Sequence, residues 1–326
     1  MKAWVVSELG DPQQALRFID KPLPEPGVGE VLIKVEAASA NFFDVLLCQG
    51  KYQERPELPF TPGAEVAGTV VAVGARSSLQ IGQRVLATPQ LPNGGFSEFV
   101  ATPENFVYPI PDELPWTEAA GMYITYQTAY YALHHRANLQ AREVLLVHAG
   151  AGGVGSAAIQ LGKAIGAMVI STAGGSEKVQ ICRDLGADVA IDYFTENFAD
   201  KVMEVTEGKG ADVIFDPVGG DVFDLSRKCI SFGGRILVIG FAGGRIAEVP
   251  TNHILLKNYS VVGVGFGLFS KIMSMNVRQN HDQLMHLYLQ NKIKPLVFKE
   301  FALKDLPNAL ELLSTRKTWG KLILRP

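Results

Sequence analysis

The segment that decides the fold reads VLLVHAGAGGVGSAAIQLGKAIGA and spans residues 144–167. It opens with four apolar residues, the pattern of a strand buried on both faces. A glycine-rich turn follows, and the small and apolar residues after the turn predict a helix. Gly150, Gly152 and Gly155 have the spacing G-x-G-x-x-G, in which the glycines permit a tight turn, close approach of a pyrophosphate and close helix packing. Because the motif follows a strand and opens a helix, it predicts a dinucleotide site rather than a tightly packed turn without a ligand.

The second predicted strand, at 168–172, indicates which dinucleotide is bound. An enzyme that selects NAD usually carries Asp or Glu at the end of this strand, where the carboxylate holds the ribose 2′-hydroxyl. Here the strand ends in small neutral residues, and Ser176 and Lys178 add a hydroxyl and a cation just beyond it. Glu177 is acidic, but it lies at a predicted helix start from which it can point to solvent. These residues favour NADPH over NADH, and a solvated Lys178 without a binding role is the alternative.

The composition limits the class of protein. A length of 326 residues fits two domains, and 47% apolar residues supply a substantial core. The absence of a long apolar run argues against a membrane span. A net charge of −3 with interspersed signs provides no basic stripe for nucleic acid. Three widely separated cysteines and the lack of a signal-peptide pattern predict a cytoplasmic protein without disulfides.

The first part of the chain, residues 1–123, reads as short strands interrupted by Gly and Pro, which suggests a small, partly open β barrel. Its clearest predicted strands are 30–39, 65–74, 81–87 and 94–100. A predicted helix at 119–133 bridges to the next part.

From 124 to 266 strands alternate with helices. The predicted strands are 144–147, 168–172, 188–192, 212–216, 235–239 and 260–264. Six strands in βαβ succession predict an α/β domain with a doubly wound parallel sheet. The tail is expected to return to the first domain, with helices at 276–289 and 306–314 and strands at 293–301 and 320–324.

Several short motifs extend the pattern over essentially the whole chain. They are NFFD at 41–44, QGKY at 49–52, LPFTPGAEVAG at 58–68, TYQTAYY at 125–131, DPVGG at 216–220, GGRILVIG at 233–240 and GKLIL at 320–324. In this order they resemble the medium-chain dehydrogenase/reductase superfamily and, within it, the zinc-independent NADPH:quinone oxidoreductase group. The resemblance implies a GroES-like catalytic domain, 1–123 completed by 267–326, and a Rossmann domain that binds NADPH, 124–266.

The zinc enzymes of this superfamily resemble the chain but differ from it at two metal-ligand positions. They carry Cys where Asn41 stands and Gly-His-Glu where this chain has Gly63, Ala64 and Glu65. Catalytic zinc needs three protein ligands of the Cys, His or carboxylate type. We therefore predict that no metal is bound and that alcohol oxidation is disfavoured. Asp44 and Glu65 are interpreted as hydrogen-bond anchors.

The resemblance implies hydride transfer from NADPH to a quinone or an α,β-unsaturated carbonyl, which are electrophilic enough to react without a metal. We hypothesise that Asn41 and Tyr52 are the catalytic residues. The Asn41 amide would bond the nicotinamide side or the substrate oxygen, and the Tyr52 phenol would donate a hydrogen bond or a proton. A loop-stabilising asparagine and a packed tyrosine are the alternative.

Two further groups of residues are expected to contact the cofactor, in addition to Asn41. Family similarity indicates Thr128, Gly152, Gly153, Val154, Ser176, Lys178 and Tyr193. Position at the carboxyl ends of predicted strands, where open α/β sheets bind ligands, adds Gly240, Phe241, Val264 and Phe266. The aromatic rings of Phe241 and Phe266, with Asn41 and Tyr52, are expected to form a mostly apolar cleft for a flat acceptor.

Two other functions remain open. One is an enoyl reductase of lipid or polyketide type, although the chain carries no carrier or synthase domain. The other is a catalytically silent, crystallin-like protein that binds NADPH. The β-rich strand at 260–264 and the family resemblance together predict a homodimer that pairs at this edge.

Overall fold

The computed structural model describes residues 1–326, which form two compact units. The first unit contains Met1–Ile124 and Pro295–Pro326, and the second contains Thr125–Lys294. The tail from Pro295 to Pro326 therefore belongs to the first unit.

Up to Ile124, the first unit is mainly β structure. Its elements are β1 (Lys2–Val6), α1 (Pro12–Ala15), β2 (Leu16–Asp20), β3 (Glu30–Ala40), α2 (Phe42–Cys48), β4 (Val66–Val73), β5 (Arg84–Ala87), β6 (Phe99–Pro103), β7 (Val107–Pro109) and α3 (Trp116–Ala120). The strand predicted at 94–100 begins only at Phe99, because Gly94 and Phe96 donate their backbone N–H groups to the carbonyls of Thr61 and Pro62 rather than to a strand of the sheet. A Cβ at Gly94 would lie 2.3 Å from the carbonyl oxygen of Pro62.

The helix predicted at 119–133 is wrong as a single element. Helix α3 ends at Ala120, α4 (Tyr123–Tyr130) follows after a turn, and a π-helical segment (Tyr131–Arg136) continues it. Gly121 caps α3, and a Cβ there would lie 3.3 Å from Cγ of Lys321. The break thus leaves room for a side chain from the far end of the sequence.

The second unit contains a six-stranded parallel sheet with helices. Its remaining elements are β8 (Val144–Val147), α5 (Gly153–Ile165), β9 (Met168–Ala173), α6 (Ser176–Asp184), β10 (Val189–Asp192), α7 (Phe198–Val205), β11 (Ala211–Asp216), α8 (Gly220–Cys229), β12 (Ile230–Val238), α9 (Thr251–Lys257), β13 (Ser260–Gly263), α10 (Phe266–Ile272) and α11 (Ser274–Leu289). The sheet order is β10-β9-β8-β11-β12-β13, which confirms the doubly wound prediction. The chain reverses its direction of winding between β8 and β11, the position where such sheets bind ligands.

Helix α11 belongs to the second unit because it packs along α4 and its π-helical continuation. The Gln127 side chain donates to the carbonyl of Val277 at 3.0 Å, and His135 Nε2 lies 3.0 Å from Asn280 Oδ1. These contacts join α11 to the second unit, which extends to Lys294.

The returning segment completes the sheet of the first unit with β14 (Val297–Ala302), α12 (Leu306–Ser314) and β15 (Lys321–Arg325). The sheet order is β14-β15-β3-β4-β5-β7, with β6 also paired to β3. This open path agrees with the partly open barrel that was predicted. Antiparallel pairing sets Leu322 opposite Ala40, so that Lys321 lies beside Asn41. No helix of either unit combines the length and apolarity needed to cross a membrane.

Candidate functional site

The glycine turn joins the buried end of β8 to the N-terminus of α5. Gly150 and Gly155 are required by packing: a Cβ at Gly150 would lie 1.8 Å from Ser171 Oγ, and one at Gly155 would lie 2.3 Å from the Ala149 carbonyl oxygen. Gly152 is different, because its Cβ would meet only that carbonyl, at 3.1 Å. Gly152 is also the N-cap of α5 and provides no capping side chain. The first N–H groups of α5 therefore receive no side-chain cap. Uncapped N–H groups at a helix N-terminus can bind a pyrophosphate.

His148 is a core histidine that ties this turn to its neighbours. Its Nδ1 lies 3.0 Å from Thr172 Oγ1 at the end of β9, and its Nε2 lies 2.8 Å from Ser226 Oγ on α8. Burial lowers the pKa of His148 to about 4, and the charge of Asp216 acts weakly in the opposite direction. The imidazole is thus a neutral structural bridge at neutral pH.

The His148 bridge predicts a specific loss of stability in acid. Because the folded pKa lies below the unfolded value, the fold keeps its full stability above about pH 6.5 and loses it as the pH falls through about 4. The loss is on the order of 3 kcal/mol for this group. Urea unfolding from pH 7 to pH 4 should show this extra slope in the wild type and not in His148→Gln. Equal slopes in both proteins would contradict the assignment.

The end of β9 and the start of α6 form the second part of the site. The strand ends with neutral residues at 171–173, all buried. Gly175, at φ +86°, caps α6 without a side chain, and Ser176 and Lys178 lie in the first turn. Burial lowers the pKa of Lys178 because it removes water from around the ammonium. An anionic ligand would stabilise the charged form in place of that water. This arrangement suits a 2′-phosphate.

Tyr193 follows β10 at the same edge of the sheet, and it is 50% exposed. A Cβ at Gly174 would lie 2.6 Å from the Tyr193 hydroxyl, so the phenol lies against a glycine that has no side chain to exclude it. Asp192 accepts hydrogen bonds from the backbone N–H groups of Gly175 and Phe194, both at 3.0 Å. These bonds hold the loops after β9 and β10 together.

The remaining predicted cofactor positions differ in accessibility. Thr128 on α4 is 9% exposed, and Phe241, which with Gly240 follows β12, is 43% exposed. Val264 and Phe266 follow β13 and are both buried. The Phe266 ring packs near Tyr131 and Phe269, with centroids 6.4 Å away in each case. Its ring is therefore mostly covered by neighbouring residues.

In the first unit, Asn41 is the N-cap of α2 and is 7% exposed. Its backbone N–H donates to Asp44 Oδ2 at 2.8 Å, and its amide nitrogen donates to Glu65 Oε1 at 2.9 Å. Glu65 Oε2 accepts the backbone N–H of Ile124 at 2.9 Å. These bonds agree with the interpretation of both carboxylates as anchors. The Lys321 ammonium donates to Asn41 Oδ1 at 2.6 Å and to Glu65 Oε1 at 2.5 Å.

The charged side chains around Asn41 are almost completely buried. The side chains of Lys321 and Glu65 are 5% and 1% exposed, and they form an ion pair. Burial raises the pKa of Asp44 to about 7, against the opposing effects of the Asn41 N–H and the Lys321 ammonium. Asp44 therefore exchanges a proton near neutral pH, while Glu65 and Lys321 neutralise each other.

Tyr52 lies in the same unit and packs on Phe43 with ring centroids 5.3 Å apart. Burial, followed by the charges of Glu54 and Asp44, raises its pKa. A tyrosine is protonated at neutral pH even without this shift, so the phenol can act as a donor.

Sequence reasoning missed Lys321, although its motif, GKLIL, was noted. A lysine at the start of a strand normally points to solvent, and nothing near it in the sequence signals a partner. The signal that could have been used is Glu65: a carboxylate inside an apolar strand pattern requires a cation from elsewhere.

The residues present do not fit a zinc centre. No three His, Cys, Asp or Glu side chains converge in an arrangement that could hold a metal ion. Of the two positions that carry ligands in the zinc enzymes, Ala64 has no donor atom, and Asn41 is bonded to an ammonium.

Comparisons with known proteins agree with this geometry. Residues 27–112 match the alcohol dehydrogenase GroES-like domain, and residues 153–280 match the family described as zinc-binding dehydrogenase. The quinone oxidoreductase-like protein 2 homolog of Nematostella vectensis is 41% identical over 99% of this chain and 88% of its own length.

Two solved structures cover this chain completely and are themselves covered completely. The mycobacterial protein Rv1454c, complexed with NADPH, is 33% identical with a TM-score of 0.92. The quinone oxidoreductase of Escherichia coli, also complexed with NADPH, is 28% identical with a TM-score of 0.92. With the Rossmann sheet, the GroES-like unit and these relatives, the chain belongs to the zinc-independent quinone oxidoreductase group of the medium-chain dehydrogenase/reductase superfamily.

Proposed function

We propose that this protein is an NADPH-dependent reductase of quinones or α,β-unsaturated carbonyls. The observation that carries the proposal is the glycine turn, where Gly152 has open space that packing does not explain. Two structural relatives are complexes with NADPH, and the relative from N. vectensis is named as a quinone oxidoreductase-like protein.

The second unit supplies the groups that would hold the cofactor. The Gly152 N–H donates to the Ala149 carbonyl at 2.9 Å, so Gly152 would contribute close backbone approach, while the N–H groups of Gly153 and Val154 at the start of α5 would bind the pyrophosphate. Ser176 and Lys178 would bind the 2′-phosphate, and the neutral end of β9 contains no carboxylate to repel it. When bound, NADPH supplies the hydride.

The first unit supplies the residues that would act on the acceptor. Tyr52 is a phenol, which is protonated at neutral pH, and burial raises its pKa further, so its O–H can donate to an oxygen that gains negative charge. Asn41 is held rigidly by its contacts with Glu65 and Lys321. Rigid polar groups reduce the reorganisation that accompanies reaction. No contact in the structure favours the enoyl reductase or the crystallin-like alternative.

The test is oxidation of NADPH by the purified protein with a panel of quinones and enones. We expect turnover with at least one quinone, slower turnover with NADH, and no loss of activity after treatment with a chelator. The mechanism needs no metal, because the acceptor is already electrophilic. The proposal fails if no acceptor oxidises NADPH or if the chelator removes the activity.

We also propose that two copies pair through β13. This strand is the edge of the parallel sheet, and most of it is exposed. Leu255 on α9 and Leu268 on α10 are 78% and 67% exposed, which is a large apolar surface beside an unpaired edge. Sedimentation should show a dimer, and a single monomeric species would refute this pairing.

A further inference from the structure

Lys321 carries its charge in the interior of the first unit, where a buried charge destabilises the fold unless it is paired. Its side chain is 5% exposed, and it reaches the interior because β15 pairs with β3. Removing an ammonium from water costs several kcal/mol unless its partners compensate. Its observed partners are Glu65 Oε1 and Asn41 Oδ1. The second of these connects the cation to a proposed catalytic residue.

The hydrogen bonds of Asn41 determine what its amide can do. The amide nitrogen has two donors, and both are used: one bonds Glu65 Oε1 at 2.9 Å and the other the Ser39 carbonyl at 3.3 Å. The amide oxygen accepts from Lys321. The Asp44 backbone N–H of the capping box bonds the main-chain carbonyl of Asn41 at 3.0 Å and makes no side-chain cap bond, so the amide oxygen retains one lone pair. Asn41 therefore has an acceptor to offer to a bound molecule, but no donor.

Lys321 and Glu65 also prevent the Asn41 amide from flipping, which would exchange the positions of its oxygen and its nitrogen. In the reversed orientation the NH₂ group would face the ammonium and the oxygen would face the carboxylate, so both contacts would become repulsive. A cation on one side and an anion on the other thus select a single orientation. Neutral side chains in their places would allow both orientations.

We propose that Lys321 is a positioning residue for hydride transfer, which locks Asn41 as a hydrogen-bond acceptor toward the bound reactants. This inference rests on the proposed function. The inference gives Asn41 and Tyr52 different roles. A substrate oxygen that gains negative charge needs a hydrogen-bond donor, which Tyr52 provides. Asn41 instead accepts hydrogen bonds from N–H or O–H groups. The competing explanation is that Lys321 only neutralises Glu65 inside the fold.

A double-mutant cycle distinguishes the two explanations. Lys321→Met should lower kcat at least tenfold, with a change below threefold in the KM for NADPH, because the phosphate contacts lie in the second unit. In an Asn41→Ala background the same substitution should cost less than twofold. In a Tyr52→Phe background it should again cost the full tenfold. Equal losses in all three backgrounds would overturn the proposal, since a structural role does not depend on Asn41.

A charge-balanced variant covers the risk that Lys321→Met leaves Glu65 buried and unpaired. Lys321→Met combined with Glu65→Gln removes both charges, and it should fold with a thermal midpoint near that of the wild type while kcat stays at least tenfold low. Recovery of kcat to within twofold of the wild type would mean that Lys321 serves Glu65 alone. If neither variant folds, Lys321 is a structural residue and the proposal is wrong.

The matched control removes a different ion pair. Arg235 and Glu143 form a half-buried pair in the second unit, near the amino ends of the parallel strands. Arg235→Met with Glu143→Gln should keep kcat within twofold, and a comparable fall in kcat would also count against the proposal. A wild-type protein without turnover would refute the proposed function before any variant is compared, so the two failures are distinct.

Discussion

Replacing Gly152 with valine is expected to abolish NADPH binding without unfolding the protein. The backbone at Gly152 is extended, with φ −79° and ψ 171°, a conformation that suits a β-branched residue. The new Cβ would meet only the Ala149 carbonyl oxygen, at 3.1 Å, so the fold needs only a small adjustment. The valine would instead fill the space before the N–H groups of α5. We expect the Kd for NADPH, measured by fluorescence titration, to rise at least about a hundredfold, or about 2.7 kcal/mol.

Two other glycines provide the controls for Gly152→Val. A Cβ at Gly10 in the first unit would have no other atom within 4 Å, and Gly10→Val should leave NADPH affinity unchanged. Gly155→Val should lower the melting temperature strongly, because its Cβ would lie 2.3 Å from the Ala149 carbonyl oxygen. Wild-type affinity in a folded Gly152→Val protein would show that the pyrophosphate binds elsewhere.

Replacing Lys178 with glutamate is expected to remove the preference for NADPH over NADH. The substitution deletes a cation in the first turn of α6 and places a carboxylate where the 2′-phosphate would bind. A charge-assisted hydrogen bond contributes about 1.5–3 kcal/mol, and repulsion adds to its loss. The Kd for NADPH should therefore rise about a hundredfold, while the Kd for NADH changes less than about threefold.

The control for Lys178→Glu makes the same change of charge at a different edge of the sheet. Lys209 is exposed and precedes β11, at the amino ends of the strands. Lys209→Glu should leave both affinities within about twofold of the wild type. If Lys178→Glu weakened the binding of NADH as much as the binding of NADPH, the lysine would not be the group that binds the 2′-phosphate.

The fold of the second unit was largely predictable from local patterns. Four apolar residues, a glycine turn and a helix of small residues identify β8 and α5 at their observed positions. The six parallel strands follow from the alternation of apolar runs with helical segments. These features depend on residues close together in the sequence. The place of α11 in the second unit has no such local signal, since its contact with α4 joins residues 150 positions apart.

The sequence by itself determined the parallel sheet, the nucleotide-binding turn and the neutral end of β9, because each is encoded by spacing within a few residues. Only the tertiary structure decided the environment of Asn41. Lys321 is separated from it by 280 residues, and the pairing of β15 with β3 brings the two together. The break at Gly121 and the burial of Phe266 are likewise results of long-range packing. A buried charge is stable only beside its partner, and periodicity along the chain does not specify which partner the folded sheet will supply.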